Sequence, residues 1–132
     1  MRVRCVAVVL GIAGALTLGC GGITTPSNNQ TESFSGTLEP RGTKSHAFNV
    51  SRSGEFSAKL TAWGPNSNIL AGLAWTLGNS DGSCSGLLQQ NFVALNAQGL
   101  VGAVVPGKYC VAIYDLGNMT ANQTYTVTVS HP

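Results

Sequence analysis

The side chains able to do chemistry are few: four cysteines, two histidines, five carboxylates and nine aromatic rings in 132 residues. His46 and His131 stand far apart, and no H-E-x-x-H arrangement joins either to a metal-binding pattern. Asp81 and Asp115 lie in Gly/Ser-rich stretches and invite two readings. They meet across a loop end as a carboxylate pair, or each bonds its own backbone as turn residues do. The second reading is the simpler. His46 falls at a core-facing or strand-edge position, where packing, or at most a serine partner, is expected. The sequence therefore assigns no catalytic residue, no metal set and no cofactor. Two rings are candidates for ligand contact. Trp63 falls at a strand end beside Gly64-Pro65, and Tyr114 lies on the strand face opposite Tyr109. Exposed rings at such places stack on sugars, offering a broad apolar area with a polar edge. Core packing is the competing reading for Trp63 and the preferred one for Trp75.

The first twenty residues have a different job. Arg2 and Arg4 precede an apolar run from Cys5 to Leu18, 14 residues long. That length suits the h-region of a secretory signal and falls short of a spanning helix. The run ends in Leu16-Thr17-Leu18-Gly19-Cys20. This resembles the bacterial lipobox, in which the cysteine is diacylated and becomes the first residue after cleavage. The resemblance implies a lipid on Cys20, with residues 1–19 removed. Thr17 stands where Leu is commoner. Two or three acyl chains hold a protein stably on a bilayer, since each buried CH₂ contributes about 0.8 kcal/mol. Gly21 and Gly22 follow Cys20 without the Asp that resembles an inner-membrane retention signal, so the outer membrane is expected in a two-membrane bacterium.

Cys5 leaves with the signal and Cys20 carries the lipid, so Cys84 and Cys110 remain as an even pair in an exported chain. A disulfide follows, because a metal needs more ligands and a redox pair is more often spaced C-x-x-C. Closing a loop of about 25 residues stabilises by roughly 3 kcal/mol on the chain-entropy model.

Loss of the signal also removes the net charge. Of seven Lys and Arg, two belong to residues 1–19, leaving five against five Asp and Glu. Charged residues are only 9% of the chain, against roughly 25% in an average domain. A neutral surface has no patch for neutralising phosphates, which excludes nucleic acid.

These residues must be positioned by short elements. Gly21 to Thr31 is uncharged, with little to bury, and reads as a tether spanning roughly 17–20 Å. From residue 32 the apolar period becomes two. Strands are expected at Phe34–Leu38, at Lys44–Val50 with His46, Phe48 and Val50 on one face, and at Glu55–Ala62 with Phe56, Ala58, Leu60 and Ala62 inward. Ile69–Leu77 places Ile69, Ala71, Leu73, Trp75 and Leu77 on one face. Its other face, Leu70, Gly72, Ala74 and Thr76, is small enough to lie under another segment. Phe92–Leu95 and Leu100–Val105 read as two further strands in an ambiguous stretch. Lys108–Asp115 and the clean alternation of Gln123–Ser130 complete the set. Seven or eight strands separated by Gly, Pro and Asn turns, with no helical period, make an all-β single small β-sandwich, mostly antiparallel, over 32–132.

Several stretches carry a family resemblance: Gly36-Thr37-Leu38, His46-Ala47-Phe48-Asn49-Val50 followed by Gly54, Phe56 to Thr61, Pro106-Gly107-Lys108-Tyr109-Cys110-Val111-Ala112-Ile113, and Tyr125-Thr126-Val127-Thr128-Val129. From about Glu32 to Ser130 the chain resembles the bacterial pre-peptidase C-terminal domain, a β-sandwich of exported proteins. The resemblance implies an accessory or binding domain, not an enzyme. It does not extend to calcium, because Asn68-Ile69-Leu70-Ala71-Gly72-Leu73 lacks the acidic residues that relatives often have there.

The expectation is a lipid-anchored bacterial envelope protein presenting a non-catalytic β-sandwich for binding or envelope support. Its expected partners are the membrane, through the lipid, and a glycan or envelope protein. The alternative is a carbohydrate-binding module using Trp63 and loop Asn residues.

Overall fold

The computed structural model describes residues 28–132. Cys5, Cys20 and the stretch read as a tether up to Ser27 lie outside the described residues. Eight strands form: β1 (Gln30–Leu38), β2 (Thr43–Val50), β3 (Gly54–Gly64), β4 (Ala71–Gly78), β5 (Cys84–Val93), β6 (Leu100–Val104), β7 (Gly107–Asp115) and β8 (Gln123–His131). They make two four-stranded sheets, β1-β8-β3-β6 and β2-β7-β4-β5, every pairing antiparallel. The fold is the expected β-sandwich.

The period-two pattern produces it directly. Successive side chains of a strand point to opposite faces, so alternation gives each sheet one inward face. Phe56, Leu60, Val127 and Val129 from the first sheet meet Phe48, Leu73, Trp75, Val111 and Ile113 from the second in one buried cluster. Its centre is aromatic. Phe56 stacks between Phe48 and Trp75, with ring centroids 5.6 and 4.6 Å away. Burying each such side chain contributes about 1.5–3 kcal/mol before conformational entropy is set against it. Gly102 of β6 makes room for Trp75: a Cβ there would stand 2.5 Å from the indole Cζ3.

Three boundaries differ from the sequence expectation. β1 begins at Gln30, two residues inside the stretch read as tether, because Gln30 and Thr31 pair with His131 and Ser130 of β8. Asn29 extends that order, donating to the Glu55 carbonyl at 3.0 Å. β5 starts at Cys84, well before Phe92, and ends at Val93. It is an edge strand exposed over most of its length, so its sequence shows no clean alternation. Finally, β3 shifts register between Leu60 and Ala62. The bulge advances the phase by one residue, leaving Ala62 exposed where it was expected inward and turning Trp63 into the core.

The pair Cys84–Cys110 is bonded, with Cα atoms 6.0 Å apart. It ties the start of edge strand β5 to β7, both neighbours of β4.

Candidate functional site

The two outer faces of the sandwich are unlike. On the first sheet, strand parity turns Ser33 and Ser35 of β1, Thr126 and Thr128 of β8, and Ser57 and Lys59 of β3 outward. The hydroxyls pair across strands: Ser35 with Thr126 at 2.8 Å, Thr61 with Thr128 at 2.8 Å, and Ser33 with Thr128 at 3.3 Å. Over β1, β8 and β3 this is an ordinary wet face, and β6 adds the exposed Val101 opposite Ser57.

On the second sheet the outward rows across β7, β4 and β5 are mostly apolar, while β2 adds Thr43 beside Tyr114 and Ser45 beside Ala112. One row runs Tyr114, Gly72, Phe92 across β7, β4 and β5, and the next runs Ala112, Ala74, Gln90. The end of the Tyr114 ring lies directly on Gly72, where any added Cβ would collide with its carbons. Its hydroxyl stands 3.5 Å from Gln90 Oε1. Phe92 is 58% exposed and Leu87, on the same face of β5, is 57% exposed. The small residues expected to lie under another segment are thus covered at Gly72 by a neighbouring side chain. Tyr114 is half-buried on this outer face. Phe92 was not singled out, and its only signal in the sequence is an aromatic residue among Gln and Asn in an uncharged stretch.

Trp63 is not on this face. It is 5% exposed, and its indole N–H donates to the Ile69 carbonyl at 2.9 Å. The exposed-ring reading of Trp63 is therefore corrected, and the cause is the β3 bulge. Trp75 is buried as preferred.

The titratable groups are engaged separately. Asp115 and Asp81 do not form a pair, because they sit at opposite ends of β4. Asp115 aligns with Ala71, and Cys84, after the Asp81 loop, aligns with Gly78. Seven residue steps at about 3.3 Å separate those ends by roughly 23 Å. Asp115 accepts from the Arg41 N–H at 2.8 Å and from the N–H groups of Gly117, Asn118 and Met119 at 3.0 to 3.2 Å. Partial desolvation raises its pKa, but these four donors outweigh it and hold the carboxyl below 3.8. Asp81 is likewise lowered, first by the Ser83 hydroxyl, which donates at 2.6 Å. Both are turn residues.

Gly78-Asn79-Ser80-Asp81-Gly82 has the G-x-S-x-G spacing of a nucleophile elbow, but that elbow is a strand-to-helix turn. Here the segment joins two antiparallel strands, and the Asn79 and Asp81 side chains are spent on Ser83. Neither histidine activates a serine. His46 Nε2 lies 2.7 Å from the Tyr125 hydroxyl, and its ring stacks on Phe34. Burial lowers the His46 pKa from 6.5 and raises that of Tyr125 from 10.0. His131, fully buried, contacts Glu32 Oε1 at 2.8 Å.

A shallow depression of about 450 Å³ opens on the first sheet between β3 and β6, lined by Asn29, Ser57, Val101 and Ser130, with Glu55 its one titratable group. Among the described residues, no group of three or more His, Cys, Asp or Glu is gathered as a metal site, and no helix is long and apolar enough to cross a membrane. No protein-family model and no curated protein matches the chain.

Proposed function

We propose that this protein is a non-catalytic binding domain of a bacterial envelope, carried on a membrane by a lipid on Cys20, with the outer face of the β2-β7-β4-β5 sheet as its binding surface. One observation carries the reading: the contrast between the two outer faces. A sheet face turned to water is ordinarily polar, as the hydroxyl-paired first sheet is. Strands β7, β4 and β5 of the second sheet instead present Phe92, Tyr114 and Leu87 around Ala112, Ala74 and Gly72, with Gln90 and Thr76 among them. Contiguous exposed apolar surface of this kind marks interaction sites. Asp81, Asp115, His46 and His131 are each engaged in turn or packing contacts, which further supports binding over catalysis. The resemblance to the pre-peptidase C-terminal domain points the same way.

The anchor is tested by growth with labelled palmitate. Label enters the wild-type protein and is absent from Cys20→Ala. Equal labelling of the two proteins overturns the anchored reading.

A further inference from the structure

We infer that the Tyr114–Gly72–Phe92 row is a stacking platform for a neutral, extended polysaccharide chain. The inference rests on the reading of this domain as a binding module and names the ligand class of that face. Four features lead to it. The ring of Tyr114 is laid down on the sheet because position 72 has no Cβ. The row beside it begins with Ala112 and Ala74, small residues next to the ring, and ends in Gln90 on the edge strand. Phe92 continues the same row on the edge strand, more than half exposed. The polar group within reach is Gln90, an amide that both donates and accepts.

A pyranose ring with equatorial hydroxyls has apolar C–H faces and a polar rim. Aromatic rings bind the faces, and amides bind the rim. A flat row suits a ribbon of linked sugars better than a single sugar, which needs a pocket to bury its surface.

The same chemistry argues against other occupants. Residues 82 to 107 contain no charged side chain, so anionic lipid headgroups and nucleic acid meet no cations on β5. Lys108, at the far end of β7, is directed to the Ser80 carbonyl at 3.4 Å. A protein partner ordinarily inserts an anchor into a well-packed pocket, and the depression described above lies on the other sheet.

The test uses the purified full chain in detergent, sedimented with insoluble chitin, cellulose or β-1,3-glucan, all uncharged. Wild type co-sediments with at least one, in high salt as in low. Phe92→Ala and Tyr114→Ala each weaken retention about tenfold, in line with about 1.4 kcal/mol for a stacked ring. Tyr114→Phe keeps most of it, and Ser35→Ala on the opposite face leaves it unchanged. Unchanged unfolding midpoints in the two Ala variants show that the loss is local. Retention on none of the three polysaccharides overturns the inference, as does retention indifferent to both Ala variants or abolished by salt. A dimer dissolved by Phe92→Ala, without polysaccharide retention, overturns it in favour of a second copy. Palmitate labelling with no retention sinks the glycan and leaves the anchor standing. Retention lost in the variants of an unlabelled protein does the reverse.

Discussion

The two outer faces are made of similar strands yet are held by different chemistry. The first sheet is knitted on its wet side by Ser and Thr hydroxyls that pair across β1, β8 and β3. Each pair is exchangeable with water and contributes little, about 0.2–1 kcal/mol. The second sheet has a covalent bond from β5 to β7, with alanines, a glycine and aromatic rings beside it. The outward positions of β7 and β4 hold few hydroxyls that could pair across strands, and the disulfide ties the edge strand β5 to this sheet. The difference teaches that one fold can cover one outer face with paired hydroxyls and leave much of the other apolar, tied at its edge strand by a covalent bond.

The comparison is sharpest at the staple. Replacing both Cys84 and Cys110 by Ser should cost about 3 kcal/mol, read as a lowered midpoint in urea unfolding with a somewhat steeper slope, because the uncrosslinked unfolded chain exposes more surface. A cost no larger than that of a hydroxyl pair would break the contrast, since both faces would then be held equally weakly.

Next comes Asp115, which joins the two sheets by gathering the β1–β2 turn and the β7–β8 loop onto one carboxylate. Asp115→Asn keeps the shape and removes the charge. It should cost about 1 kcal/mol, the worth of charge-assisted bonds discounted for solvent. The sign with pH follows from the depressed pKa. The folded state binds the proton less readily than the unfolded chain, so this contribution is present above pH 3.8 and is lost as pH falls through the lower folded-state value. Asp81 acts in the same direction. Thermal melts from neutral pH down to about 3 should therefore show a smaller acid decline in Asp115→Asn than in wild type. An equal decline would remove Asp115 as a junction.

The smallest effect belongs to the hydroxyl ladder. Thr61→Val leaves the β-branched shape and deletes the 2.8 Å contact with Thr128. The expected loss is about 0.5 kcal/mol, measurable in the same urea titration. A loss rivaling that of the disulfide variant would make the wet face the structural one.

Much of this molecule was legible in the sequence, and the failures have physical causes. Gln123–Ser130 and Glu55–Leu60 alternate because they are central strands with one wet and one dry face. The Cys84–Cys110 pair followed from elimination and needed no geometry. β5 was blurred because an edge strand exposed along most of its length has no reason to alternate. Trp63 was readable either way, since one extra residue in the β3 bulge decides between core and surface, and nothing in Leu60-Thr61-Ala62 announces it. Tyr114 was found by its parity with Tyr109. Phe92 was not, because its place in one row with Tyr114 arises from pairing across two strands with Gly72 between.

The sequence by itself determined the all-β class, the neutral charge of everything after the first nineteen residues, the inward faces of the central strands and the available cysteine pair. These are local or compositional properties, set by side-chain period and by counting. The tertiary structure alone decided which residues share a row. Cross-strand register brings Tyr114, Gly72 and Phe92 into line, sends Asp81 and Asp115 to opposite ends, and joins His46 to Tyr125. Register arises from long-range pairing between strands distant in the chain, and a one-residue slip reverses every face.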